Sequence, residues 1–205
     1  MRAAAFLFVL FFVPAPVPAQ SAAAVADTVQ RLAEAGFLHD DPASFAAARA
    51  AAARGLSRAP GDGLLLHYAG YVHFRTAVLH LQSGEDREGA RARVAMHLDS
   101  AEHFLRRSAA AHPLPETYAL LSSVHAMRAA AGSPLGALGQ VRRASAEMEQ
   151  ALELGPANPR VWLLRGIAAA QTPRLLGGGA ERARRHLERA LALFAADAAR
   201  APEPR

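Results

Sequence analysis

Histidine is the residue type in this chain best suited to metal or proton chemistry, and nine are present. His67, His73 and His80 fall in one predicted helix, and His97 falls in the next. A helix holds a metal ion best through histidines at positions i and i+3 or i+4, a spacing that is absent here. A metal site assembled from both helices is the alternative, but histidines placed in this way more often lie at helix interfaces or in solvent. We therefore predict no metal site and no cofactor.

The three consecutive glycines Gly177, Gly178 and Gly179 are a second candidate site. They precede a predicted helix that begins near Ala180, and backbone N–H groups at a helix start can bind an anion. No strand precedes this loop and no Lys-Ser/Thr pair follows it, so it is not a nucleotide-binding P-loop. Glycine triplets more often form turns that need a positive φ. An anion site is therefore a secondary hypothesis beside a structural turn.

Residue combinations typical of catalysis are missing from the sequence. The chain has no cysteine nucleophile and no Gly-x-Ser-x-Gly elbow. Asp41 stands where helix capping explains it. Glu147, Glu149 and Glu153 lie among arginines on a predicted helix, where pairing at i and i+4 is the simpler interpretation. We predict no catalytic residue and a non-enzymatic protein.

The N-terminus has the layout of a secretory signal peptide. Met1-Arg2 is followed by an apolar run over residues 3–13, and Val17-Pro18-Ala19 supplies small residues before a cleavage point after Ala19. The apolar run is shorter than the roughly 20 residues of a membrane-spanning helix, although a retained anchor is the alternative. The absence of cysteine excludes lipid attachment and disulfides. We expect residues 1–19 to be removed, leaving no membrane span, and the mature protein to be periplasmic or secreted.

The net charge of +5 carries little information about partners. All 23 basic residues are arginine, and alanine is also abundant. Both features are typical of the codon bias of a GC-rich genome. The arginines are spread along the predicted helices and paired with acidic residues, and they form no basic stripe with aromatic side chains, so no nucleic-acid partner is predicted.

The remainder of the chain is rich in alanine, leucine, arginine and glutamate, which favour helix. Proline and glycine interrupt it at intervals, and Asp41-Pro42 and Ser133-Pro134 fit an N-cap followed by proline at the first helical position. The sequence predicts an all-α protein with helices over 21–36, 43–58, 63–82, 87–111, 115–131, 140–154, 159–171 and 180–197.

The helices repeat a spacing of small and large residues that lets neighbouring helices pack closely. Large and small residues follow one another in the first helices, at Leu66 and Gly70, Tyr118 and Ser122, and Trp162 and Gly166. Each second helix carries small and large residues at a repeated spacing and is followed by a proline that closes the repeat. The positions expected to be structural are Gly70, Ala101, Leu105, Pro113, Ala144, Ala151, Pro156, Trp162, Gly166, Ala183, Leu187 and Ala190.

On these residues the chain resembles the tetratricopeptide repeat family over residues 43–197. The resemblance implies a right-handed solenoid of antiparallel helix pairs, with about three and a half repeats in a domain over 20–198 and a disordered tail over 199–205. The closing prolines at 60, 113 and 156 are further apart than the 34 residues of the family, and Arg165 stands where the family prefers leucine. The Thr172-Pro173 step before the glycine triplet resembles a group of exported bacterial repeat proteins.

The family resemblance also implies a binding groove lined by the first helices. The corresponding positions are His67, Tyr71, Phe74, Arg75, Glu116, Ser123, Met127, Arg160, Ile167 and Gln171. Aromatic, arginine and methionine side chains suit a protein or peptide partner. We therefore expect a non-catalytic scaffold in the bacterial cell envelope. The alternatives are a small-ligand, anion or metal-binding protein on the same scaffold, packing of these positions against an added terminal helix, and self-association through end helices.

Overall fold

The structure, a computed structural model, describes residues 21–39, 41–82, 87–132, 134–174 and 177–200. The described residues form eight α-helices and no strand. The helices are α1 (Ala22–His39), α2 (Pro42–Arg58), α3 (Gly63–Gln82), α4 (Arg87–Ala111), α5 (Pro115–Ala131), α6 (Pro134–Leu154), α7 (Pro159–Gln171) and α8 (Ala180–Arg200). The predicted all-α class is confirmed, while the predicted signal peptide lies outside the described residues.

Three helix boundaries differ from the predicted ones by three residues or more. Helix α6 begins at Pro134 and not at residue 140, because it continues through Gly136 and Gly139. A glycine inside a helix costs only about 1 kcal/mol, so neighbouring helix formers outweigh it. Helix α1 continues to His39, and α8 continues to Arg200. Residues 199 and 200, which were assigned to a disordered tail, are therefore helical, and residues 201–205 lie outside the described part.

Side chains at the helix starts confirm one of the two predicted caps. The Asp41 carboxylate accepts hydrogen bonds from the backbone N–H groups of Ala43 and Ser44, with Pro42 at the first position of α2. The Ser44 hydroxyl also donates to Asp41, and these bonds lower the pKa of that carboxyl. Asn158 caps α7 in the same way. Ser133, the second predicted cap, lies outside the described residues.

Helix contacts follow the order of the chain. Each odd-numbered helix packs most extensively against the even-numbered helix that follows it, and each even-numbered helix up to α6 also contacts the next odd-numbered one. Successive odd-numbered helices touch as well. Within the described ranges no other helix pairs are in contact, so every helix contacts only helices that are near it in sequence.

A small residue contacts the following helix in each of three successive helix pairs. A Cβ atom placed on Gly70 of α3 would lie 2.5 Å from Cγ of Leu105 on α4, and one on Gly166 of α7 would lie 2.7 Å from Cγ of Leu187 on α8. In the pair between them, the Ser122 hydroxyl of α5 donates to the Ala144 carbonyl of α6 over 2.7 Å. Small residues at these crossings therefore allow close approach of the helices.

The hydrophobic core runs along the chain as three linked clusters. The first joins α1, α2 and α3, the second is centred on α3, α4 and α5, and the third joins α5, α6 and α7. Tyr71 packs against the first two clusters, and Tyr118 and Leu164 pack against the second and third. Ala183 and Ala190 of α8 are buried. Among the described helices, none combines the length and apolar character needed to cross a membrane.

Candidate functional site

Hydrogen bonds, an arginine–aromatic contact and electrostatic interactions link side chains of α1, α3, α5 and α7 into a group that we call the odd-helix face. It comprises Gln30, Glu34, Phe37, Tyr68, Tyr71, Arg75, Glu116 and Arg160. The Tyr68 hydroxyl donates to Gln30 Oε1 over 2.5 Å, and the Gln30 amide donates to Glu34 Oε1 over 2.8 Å. Helices α1 and α3 are thus joined by polar side chains along this face.

An arginine on an aromatic ring extends the face toward the end of α1. The Arg75 guanidinium carbon lies 4.3 Å from the centre of the Phe37 ring, a cation–π arrangement. Phe37 is 50% exposed, so one side of its ring contacts solvent. The result is an accessible aromatic surface beside a guanidinium, a combination common at the energetic centres of protein interfaces.

Helices α5 and α7 continue the face with charged groups. The Asn158 amide donates to Glu116 Oε1 over 2.8 Å, which holds the carboxylate near the start of α7. Arg160 and Glu116 act electrostatically on Tyr68 in opposite senses, because Arg160 lowers the pKa of its hydroxyl and Glu116 raises it. Arg160 itself is exposed.

Burial raises the pKa of both tyrosine hydroxyls on the face. The coulombic effects of Arg160 on Tyr68 and of Arg75 on Tyr71 oppose that shift, and the carboxylate of Glu34 supports it. Both hydroxyls therefore keep their protons at neutral pH and serve as hydrogen-bond donors.

Two residues assigned to the groove by sequence lie inside the protein. His67 Nδ1 is 2.8 Å from the Thr117 hydroxyl of α5, and burial lowers the pKa of His67 to about 4. Phe74 packs in the second core cluster. Each lies one position before a residue of the odd-helix face, Tyr68 or Arg75, and one position turns a side chain by about 100° around a helix.

The other predicted groove positions differ in accessibility. Ser123 is half-buried and its hydroxyl donates to the Ala119 carbonyl. Met127 is half-buried against the second core cluster. Ile167 and Gln171 on α7 are exposed, so α7 offers the most accessible of the predicted positions.

Sequence reasoning missed the contribution of α1. Gln30, Glu34 and Phe37 follow an i, i+4, i+7 spacing that places them on one side of a helix. That spacing was available in the sequence, but the repeat resemblance began only at residue 43. The face therefore extends one helix further toward the N-terminus than predicted.

The glycine triplet is a closed turn. The N–H groups of Gly177, Gly178 and Gly179 donate to the carbonyls of Arg174, Pro173 and Ala169 respectively. Gly177 and Gly179 have φ values of 86° and 102°, which favour glycine. Because these N–H groups already have acceptors, the geometry favours the structural turn and not the anion site.

Three histidines that were separate in sequence come together between α3 and α4. His73 Nδ1 lies 3.0 Å from His97 Nδ1, and the His80 ring stacks on that of His97 at 5.5 Å. Burial lowers the pKa of both His73 and His97 to about 4, with a further contribution from Arg49. In the described part of the chain no three metal-ligating side chains are placed to hold an ion, so we assign no metal centre here.

A buried polar network that the sequence did not reveal joins α4, α5 and α6. His125, fully buried, contacts Gln140 Oε1 through Nδ1 at 2.8 Å and Arg106 Nη2 through Nε2 at 3.1 Å. Because arginine can only donate, Nε2 accepts and Nδ1 carries the proton donated to Gln140. Arg106 also pairs with Glu147 over 2.6 Å. The network satisfies both imidazole nitrogens and fixes three helices relative to one another.

Two further contacts involve structural positions predicted from the repeat spacing. The Trp162 indole N–H donates to the Pro156 carbonyl over 2.8 Å, and Arg165 lies over the Trp162 ring at 5.2 Å. Pro113 and Pro156 are exposed in the segments that follow α4 and α6. These residues lie at the junctions between helices and are not part of the odd-helix face.

Comparison of the chain with protein-family models, with curated proteins and with solved structures gave no match. The functional interpretation therefore depends on the contacts and chemistry of the residues themselves.

Proposed function

We propose that this protein is a non-catalytic scaffold that binds a protein or peptide partner on the odd-helix face. The observation that carries the proposal is the continuity of that face across α1, α3, α5 and α7. It combines tyrosine, phenylalanine and arginine side chains with a few directed polar groups. Such surfaces supply apolar area together with hydrogen bonds that orient a partner.

The proposed architecture is a right-handed solenoid of antiparallel helix pairs that resembles tetratricopeptide repeats. Two observations support it. Contacts join only helices that are close in sequence, as in repeat proteins. The crossings at Gly70, Ser122 and Gly166 also repeat one pattern of small residue against neighbouring helix. In such a solenoid the odd-numbered helices line the inner surface.

Location in the periplasm or outside the cell is part of the proposal. It rests on the signal-peptide pattern of residues 1–19, with cleavage after Ala19. The partner would then be another envelope or secreted protein.

The test is affinity capture from the envelope fraction of the source cell, with the chain from residue 20 onward. The variant Arg160→Glu/Ile167→Asp alters an exposed residue of the odd-helix face and an exposed residue seven positions later on the same side of α7. The matched control Val141→Asp/Arg142→Glu makes the same changes on α6, where Val141 is 42% exposed and Ile167 is 41% exposed. Both variants should keep the native helicity and melting temperature, because their side chains face solvent.

A partner retained by the native chain and by the α6 control, but lost by the α7 variant, would support the proposal. Equal capture by both variants would place binding on another surface and contradict it. Loss from both would show that the captured protein responds to surface charge in general, which would also contradict a specific site on the odd-helix face.

A further inference from the structure

Arginines line one side of α8. Arg182, Arg185 and Arg189 are exposed and follow an i, i+3, i+7 spacing, which places them on one side of the helix along about 10 Å. Among the described helices α8 contacts only α7, so no other helix covers this side.

Trp162 connects an arginine of α7 to the same side of α8. The guanidinium carbon of Arg165 lies 5.2 Å from the centre of the Trp162 ring, and the ring of His186, which follows Arg185, lies 5.5 Å from it. No basic stripe was predicted from the sequence, because this one depends on the packing of α7 against α8. We call Arg165, Arg182, Arg185 and Arg189 the α8 arginine row.

Three of the four arginines have no carboxylate partner in the described part of the chain. There Arg165 and Arg189 make neither a hydrogen bond nor an ion pair, and Arg182 donates only to the Gly177 carbonyl. The loop residues 175 and 176, which lie outside the described ranges, are leucines and add no charge.

Carboxylates near the row neutralise it only in part. Glu181 pairs with Arg185 over 3.1 Å, with both side chains more than half exposed, and it also pairs with Arg184. Burial and a neighbouring arginine lower the pKa of Arg165, and Glu149 opposes them more weakly. Two carboxylates therefore act on four guanidinium groups, and the row keeps a net positive charge.

The row lies on a different side of α7 from the odd-helix face. Arg165 is five positions after Arg160, which turns its side chain by about 140° around the helix. The two surfaces share no residue, so an inference about the row does not depend on the function proposed above.

We propose that the α8 arginine row binds an acidic segment of a partner protein. Its charges are spread along the helix, which suits several carboxylates in succession and not one small anion. Guanidinium groups bind carboxylates through paired, charge-assisted hydrogen bonds. Helices of this chain are already joined in this way, by Arg106 with Glu147 across α4 and α6 and by Arg128 with Asp99 across α5 and α4.

The apolar residues of α8 favour such a hydrophilic partner over a lipid surface. The two large exposed apolar residues of this helix are Leu191 and Phe194, which lie about 160° and 140° around it from Arg189. They do not accompany the row, so the row offers charge-assisted hydrogen bonds and little apolar area.

The test measures the fluorescence anisotropy of a fluorescein-labelled peptide in which glutamate and serine alternate, titrated with the chain from residue 20 onward. A second peptide has glutamine in place of each glutamate. The variant Arg185→Gln/Arg189→Gln removes two charges of the row. The matched control Arg54→Gln/Arg58→Gln removes two charges at the same spacing from α2. All four arginines are exposed, so both variants should keep the native helicity and melting temperature.

We expect the native chain to bind the glutamate peptide and not the glutamine peptide. Binding should weaken about tenfold in Arg185→Gln/Arg189→Gln, because two charge-assisted contacts are lost, and several-fold in Arg165→Gln. The α2 control should bind as the native chain does. No binding of the glutamate peptide, or equal binding of the glutamine peptide, would overturn the proposal. Equal loss in both double variants would also overturn it, because net charge alone would then explain the attraction.

Other anionic ligands are titrated in parallel at equal concentrations of anionic groups. They are alginate, double-stranded DNA and vesicles that contain phosphatidylglycerol. Tighter binding of any of these than of the glutamate peptide, lost in Arg185→Gln/Arg189→Gln, would overturn the protein partner and assign the row to that class of ligand.

Discussion

The Nδ1 atoms of His73 and His97 lie 3.0 Å apart and join α3 to α4. Such a contact requires one nitrogen to donate and the other to accept, so the pair is held only while at least one imidazole is neutral. The cationic Arg49 of α2 acts on both rings, and the His80 ring stacks on His97. Phe104 covers the other ring, that of His73. Protonation of both histidines therefore places like charges in contact.

The first prediction concerns stability against pH. The pKa of His73 and of His97 is lowered from 6.5 to about 4 in the folded protein, so between these values the unfolded chain binds more protons. The contribution of these two neutral histidines to the free energy of unfolding should therefore be fully present above about pH 6.5 and should decrease as the pH falls toward 4. Buried His67, with a pKa of about 4, contributes in the same direction. We expect a loss on the order of 1–3 kcal/mol, allowing for solvent screening at half-buried His73.

The variant His73→Gln/His97→Gln separates this effect from the titration of carboxylates. Urea denaturation at pH 7.5 and pH 4.5 should show a smaller difference in unfolding free energy for the variant than for the native chain. An identical pH dependence in the two proteins would mean that the histidine pair does not control acid stability.

The second prediction concerns the buried network around His125. His125→Phe keeps a ring of similar size but removes the hydrogen bonds to Gln140 and Arg106. Because half-buried Gln140 loses its partner, we expect about 1–3 kcal/mol of destabilisation in urea denaturation. The matched control is His103→Phe at an exposed position of α4, where the change should stay within about 0.5 kcal/mol. Equal effects of the two substitutions would contradict a structural role of the network.

A third prediction tests the crossing of α7 and α8. Ala183 is 4% exposed, and Leu187 one turn later contacts Gly166. Ala183→Leu adds volume to this close contact and should destabilise the protein by about 1–3 kcal/mol. Ala192→Leu, at an exposed position of the same helix, should change the melting temperature little. A neutral result at Ala183 would mean that the two helices do not cross here.

Composition was sufficient to predict an all-helical chain, and the spacing of small residues indicated positions suited to close packing. Gly70 meets Leu105, and Gly166 meets Leu187, because a residue without a side chain leaves room for a leucine on the facing helix. The spacing is local information, and the sequence contains it directly.

The side of each helix that faces solvent was harder to predict. His67 and Phe74 are buried, whereas the next residues, Tyr68 and Arg75, lie on the odd-helix face. The difference depends on where neighbouring α5 crosses α3, and no spacing within α3 records that. The network around His125 was missed for a related reason, since its partners come from the two helices on either side of α5.

The final prediction concerns two glycines whose replacement by alanine should change stability in opposite directions. A Cβ atom on Gly178 would overlap the Thr172 carbonyl, whereas one on Gly139 of α6 would meet no atom within 4 Å. Gly178→Ala should therefore open the turn between α7 and α8 and destabilise the protein by more than about 1 kcal/mol. Gly139→Ala should stabilise it by about 0.5–1 kcal/mol, because alanine restricts the unfolded chain and favours helix.

Thermal unfolding of both variants in the presence and absence of inorganic phosphate adds a second comparison. A phosphate-dependent rise in melting temperature that Gly178→Ala abolishes and Gly139→Ala retains would restore the anion site, and equal responses would leave the triplet as a turn.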